Sequence, residues 1–155
     1  LRAGRVLPAA ALGTAFAALV FLGMERWTIH SVTPRVAAYD LLPADARRGL
    51  VAAGFDRLQE LSRTPAETLA ARVPGAAAAD AAAWRAAARL ALLRGIGTET
   101  AERLAEVGIR RVEELAAADP AELYERVRAA AGPDPRIRPA VVREWVRAAR
   151  RAVAR

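Results

Sequence analysis

From Leu41 to the end of the chain, apolar residues recur every three or four positions, the spacing of one buried helix face. Leucine, valine and alanine fill those positions, and turn residues interrupt them at short intervals. The pattern predicts helices over 43–53, 56–62, 65–72, 76–93, 98–107, 111–117, 120–130 and 139–153. The last is the most amphipathic. Val141, Val142, Trp145, Val146, Ala149 and Val153 share one face, and Arg143, Arg147, Arg150 and Arg151 lie on the other. The alternation of β-branched or aromatic residues that marks a strand occurs only at Trp27–Val32. The expected fold class is all-α.

Upstream, Val6 to Met24 is a run of 19 uncharged residues. As a helix it would measure roughly 28 Å, close to the thickness of a bilayer core. Arg2 and Arg5 precede it, and Trp27 follows at a position suited to a membrane interface. Residues 1–27 are therefore expected to form an N-terminal apolar helix acting as a single-pass anchor, with its amino terminus cytoplasmic. A cleaved signal peptide or a buried helix are the alternatives, although no small-x-small cleavage site follows Met24. Without the anchor the expected location is cytoplasmic. The first residue is Leu1 rather than Met, which leaves open whether the natural start lies upstream.

The helical region repeats itself. The stretch from Leu41 (LLPADARRGLVAAGFDRLQELSRTPAETLAARV) aligns with that from Gly95 (GIGTETAERLAEVGIRRVEELAAADPAELYERV). Leu50 matches Leu104, Gly54 matches Gly108, Phe55 matches Ile109 and Leu61 matches Leu115. Each copy closes on an Arg-rich helix bearing a tryptophan, Trp84 or Trp145. Gly54 and Gly108 stand where a helix stops in a left-handed turn. Thr64-Pro65-Ala66-Glu67 and Asp119-Pro120-Ala121-Glu122 read as helix starts, with a capping residue, proline in the first turn and a glutamate that reaches back. Gly132-Pro133-Asp134-Pro135 is a loop that lengthens the second copy. The expected organisation is a linker over 28–40, a first repeat over 41–93 and a second over 94–155.

The most specific local pattern is Leu92-Leu93-Arg94-Gly95-Ile96-Gly97-Thr98-Glu99-Thr100-Ala101-Glu102-Arg103-Leu104. Two glycines permit a tight turn with positive φ. Ile96 between them can plug the core, and Ala101 lets the second helix approach the first. Such a turn leaves backbone N–H groups facing outward at a helix start, which favours an anion. Its purely structural reading is a sharp interhelical corner.

This pattern resembles the helix-hairpin-helix motif of DNA repair and processing proteins, through Gly95, Ile96, Gly97, Ala101 and Leu104. The resemblance implies contact with phosphate backbone rather than with bases. Members that bind DNA often carry lysine or another polar donor after the second glycine, where this chain has Thr98 and Glu99. In the first copy, Leu41-Leu42-Pro43 replaces the glycine turn. Over residues 41–150 the chain also resembles the domain of unknown function 4332 family, through Gly95-Ile96-Gly97, Gly108-Ile109, Glu114-Leu115-Ala116, Asp119-Pro120 and Trp145. That resemblance implies two tandem helix-hairpin-helix (SAM-like) units and no established activity.

Composition narrows the chemistry. There is no cysteine, which excludes disulfides and thiolate catalysis. His30 is the single histidine, and the residues show neither metal-ligand spacing nor a phosphate-binding lysine loop. No enzyme, cofactor or metal is expected. The net charge is +7, carried by arginine without lysine, and it is uneven. Residues 94–131 are net −2, whereas residues 132–155 are net +5. Glu99 with Arg103 and Glu106 with Arg110 read as i,i+4 surface pairs.

Two functions follow as expectations. In one, Gly95, Ile96, Gly97 and Thr98 offer a phosphate site, with Arg94 and Arg103 adding charge and Arg143, Arg147, Arg150 and Arg151 forming a basic face. The partner is then nucleic acid, bound without sequence preference. In the other, the glycines are structural and the module is a protein-interaction scaffold at the membrane. The arginine face also suits a solvated helix surface or lipid head groups.

Overall fold

The computed structural model describes residues 34–154 apart from residue 133. The expected apolar helix at 1–27 and the strand-like run at Trp27–Val32 lie outside the described residues. Eight α-helices follow a 3-10 turn at Val36–Ala38: α1 Ala44–Ala52, α2 Leu58–Arg63, α3 Ala66–Arg72, α4 Ala78–Ala91, α5 Gly97–Glu106, α6 Val112–Ala117, α7 Pro120–Ala131 and α8 Pro139–Val153. No strand occurs among the described residues; one isolated antiparallel bridge joins Arg35 to Arg57. No helix among them is long and apolar enough to cross a membrane.

The helix ends follow from local chemistry. After α1 the backbone turns left-handed at Gly54 (φ 85°). The Gly54 N–H donates to Val51 O and the Phe55 N–H to Leu50 O, so the turn satisfies two carbonyls of the last turn. Leu50 and Phe55 are both buried, which pins this end to the core. The end of α5 is built the same way. Gly108 has φ 84°, its N–H donates to Ala105 O, the Ile109 N–H donates to Leu104 O, and Leu104 and Ile109 are buried.

The two expected helix starts differ. Asp119 caps α7, accepting from the Ala121 and Glu122 N–H groups at 2.9 Å each, with Pro120 in the first turn. Thr64 does not cap α3. Its hydroxyl donates back to Glu60 O (2.8 Å), and the helix begins at Ala66 with no side-chain cap. A threonine directly after a helix has a carbonyl of that helix within reach, and here it takes that bond. The glutamates do not reach back at these two starts; Glu122 instead faces Arg126 at 3.8 Å. That role falls to Glu114, which accepts from the Arg110 and Arg111 N–H groups ahead of α6.

The short helices pack on the long ones. α2 and α3 lie on α4, α6 and α7 lie on α8, and α4 joins the two sets through α5 and α6. Ala81, Ala87, Ala88 and Ala91 are buried on α4, and their small side chains allow close approach. One continuous apolar cluster runs from Val36 to Ala149 through both sets.

Residues 34–40 of the expected linker belong to this core. Val36 and Tyr39 are fully buried. The Val36 N–H donates to Asp56 O, the Leu58 N–H donates to Pro34 O, and the Tyr39 hydroxyl donates to Ala87 O on α4. Burial, with the nearby Glu102 carboxylate as a smaller cause, pushes the Tyr39 phenol well above its ordinary pKa. The apolar stretch Val36–Tyr39 is only four residues long, too short to show a period, so the segment carried no helical signal.

Candidate functional site

The Gly95-Ile96-Gly97 segment is the corner between α4 and α5. α4 ends at Ala91, and α5 begins at Gly97. Gly95 (φ 83°) and Gly97 (φ 75°) are both left-handed, a conformation that costs an L-residue about 1–2 kcal/mol. Ile96 points inward and is buried, and Ala101 one turn later is fully buried. Both glycines are exposed. No side chain caps α5, and the N–H groups of Gly95, Gly97 and Thr98 donate to no group among the described residues, whereas the Ile96 N–H, expected to face a phosphate, donates to Leu93 O (3.0 Å). The corner therefore presents an uncapped helix start, in contrast to the Asp119-capped start of α7.

Trp145 on α8 braces the corner from behind. A methyl group on Gly95 would stand 3.7 Å from the indole Cδ1. Trp145 is buried. The loop after α7 closes the side of the corner with charged groups. The Asp134 carboxylate accepts from Arg103 Nη1 (2.7 Å) and from the backbone N–H (2.9 Å), Nε (3.2 Å) and Nη2 (3.1 Å) of Arg136. These bonds, those from Arg136 first, hold the Asp134 carboxyl down at about 2. The same pairing raises the Arg136 pKa further. Glu99 Oε1 accepts from both Arg103 Nη2 (3.1 Å) and Arg136 Nη2 (3.2 Å).

The sequence-predicted residues thus separate. Gly95, Ile96, Gly97, Thr98 and Arg94 meet at the corner, where Arg94 is exposed and has no ion pair among the described residues. Arg103 is close by but is held by Glu99 and Asp134. Glu106 and Arg110 do not pair, because the Gly108 turn ends α5 between them and redirects the chain. On α8 the arginines are exposed but serve different ends. Arg150 donates to Ala116 O (2.9 Å) and Ala118 O (3.4 Å), closing the carboxy end of α6, and Arg147 pairs with Glu144. Arg143 and Arg151 have no ion pair among the described residues. Arg136 and Asp134 were missed because a proline-rich loop carries no periodicity; their only signal was opposite charge two residues apart.

The family described as Domain of unknown function (DUF4332) matches residues 54–152. The chain belongs to this family. The DUF4332 match runs from the left-handed Gly54 into α8 and contains the whole Gly95–Gly97 corner. It starts later than the stretch from residue 41 that the sequence suggested. Residues 34–53 lie outside it, although Val36, Tyr39, Leu42 and Leu50 share its core. No curated protein and no solved structure matches the chain significantly.

Proposed function

We propose that this DUF4332 protein is a non-enzymatic module of two tandem helix-hairpin-helix units that grips nucleic-acid backbone, without reading sequence, through the Gly95–Thr98 corner. The uncapped amides of Gly95, Gly97 and Thr98 at an exposed glycine corner carry this reading. They match what a phosphate oxygen needs at a helix start: N–H donors and the positive end of the helix dipole. Arg94 is exposed beside them and has no ion pair among the described residues.

The tandem arrangement draws support from matched details at positions 54 apart. Gly54 and Gly108 make the same turn with the same pair of hydrogen bonds. Arg72 donates to Ala53 O, and Arg126 to Val107 O. In each set two helices lie on the tryptophan-bearing helix. The first unit has Pro43 in place of a glycine corner, so only the second is proposed to bind.

Anisotropy of a fluorescent DNA duplex, measured with the full chain across salt, tests the reading. Binding at about 50 mM salt is expected. If three phosphates are engaged, affinity falls about 40-fold by about 200 mM. An unbound duplex at the lower salt overturns it. One observation favours the second reading, a protein scaffold with structural glycines: Arg103 is neutralised by Glu99 and Asp134 rather than left for a ligand. In either case the apolar run at residues 6–24 is proposed to hold the module at a membrane.

A further inference from the structure

Glu99 stands apart from the other acids of α5, because one of its oxygens collects two guanidinium groups from separate elements. Arg103 reaches it from the next turn of α5 and Arg136 from the loop after α7. Two cations converging on one anionic oxygen is the arrangement that binds a phosphate oxygen. The convergence is fixed from the other side. The Asp134 carboxylate, only 11% exposed, holds both arginines by four hydrogen bonds and is not itself open to a ligand. Glu99 is 64% exposed, with no bond beyond the two arginines among the described residues. Its carboxylate is therefore the replaceable member. The cluster lines a cavity of about 190 Å³ that also reaches Gly95 and Trp145, so it is continuous with the glycine corner.

We propose that Arg103 and Arg136 form a second phosphate subsite beside the Gly95–Thr98 corner, and that Glu99 occupies it as an internal anion which a backbone phosphate must displace. This rests on the backbone-binding reading and deepens it: Glu99 weakens binding at the site rather than merely pairing on the surface. Asp134 is the positioning residue that keeps both guanidinium groups aimed at one point when Glu99 swings away.

The test compares full-length wild type with Glu99→Gln, Glu106→Gln and Glu99→Gln/Arg136→Gln, using the labelled duplex across salt. Glu106 is an exposed acid on the same helix that touches neither arginine, so it controls for net charge. Glu99→Gln is expected to tighten binding about tenfold and to steepen the log–log salt slope by about 1, the signature of one more phosphate engaged. Glu106→Gln should change affinity less than about twofold, and the double variant should return to the wild-type value. Wild-type binding with Glu99→Gln no tighter than Glu106→Gln overturns the subsite while leaving the glycine corner standing. If no variant binds duplex, the backbone reading fails, and inorganic phosphate titrated onto Glu99→Gln decides the subsite alone. Movement of the Arg103 and Arg136 Nε–H NMR signals supports it, and unmoved signals overturn it.

Discussion

Gly95 and Gly97 share a left-handed backbone but differ in what a methyl group would meet. At Gly97 nothing lies within 4 Å of the added carbon. Gly97→Ala should therefore cost only backbone strain, about 1–2 kcal/mol in urea unfolding, while loosening duplex binding by screening the amides. Retained binding at full strength would make that glycine purely architectural. At Gly95 the methyl meets the Trp145 ring at an ordinary contact distance, so strain again dominates. Asp134 gives a pH prediction. Its carboxyl is held at about 2 in the fold, below the roughly 3.9 of an unfolded aspartate. Because the folded value is the lower one, its contribution is complete above about pH 4 and disappears as pH falls toward 2. Asp134→Asn should lower Tm at pH 7 and flatten the melting curve between pH 4 and 2 relative to wild type. Parallel curves would show that the carboxylate does not act through its ionised form. The glycine corner was legible because only glycine tolerates such dihedrals cheaply. The Asp134–Arg136 pair was not, since nothing local says which helix a loop will fold against.

Helix boundaries were legible to within about two residues wherever a capping chemistry had one outcome. Gly54, Gly108 and Asp119 each behave as their residue types dictate. Thr64 shows the limit: a hydroxyl can bond forward to the next helix or back to the last one, and its sequence neighbours do not decide which. Asp119→Ala should cost about 1 kcal/mol through lost capping, and Thr64→Ala distinctly less, because α3 gains no cap from it. Equal losses by thermal melting would contradict that asymmetry. The arginines of α8 teach a similar lesson. Periodicity placed them on one exposed face, but only the packed structure shows Arg150 closing the end of α6 while Arg143 has no ion-pair partner among the described residues.

At the scale of the described unit, both helical sets share a single core, so neither is expected to unfold by itself. Leu104 is fully buried in it, and Leu104→Ala should cost about 2–5 kcal/mol in one cooperative transition. Two separated transitions would mean the sets are independent. A fragment beginning at residue 41 loses Val36 and Tyr39 from that core and should melt at a lower temperature than one beginning at residue 34. The all-α class and the doubled pattern were legible because amphipathic periods and turn residues agree along the whole region. The core role of residues 34–40 was not, because the Val36 N–H bond to Asp56 O and a phenol reaching Ala87 are tertiary contacts. Recovery of the full chain in membrane fractions is the outcome expected of the apolar run, and recovery in the soluble fraction would contradict it. Backbone binding as proposed depends on amides turned outward at one corner. Titrating a short duplex into the 15N-labelled chain and following the backbone amide signals reads that corner directly. Shifts concentrated at Arg94, Gly95, Gly97 and Thr98 are predicted; shifts elsewhere with those four unmoved would contradict it.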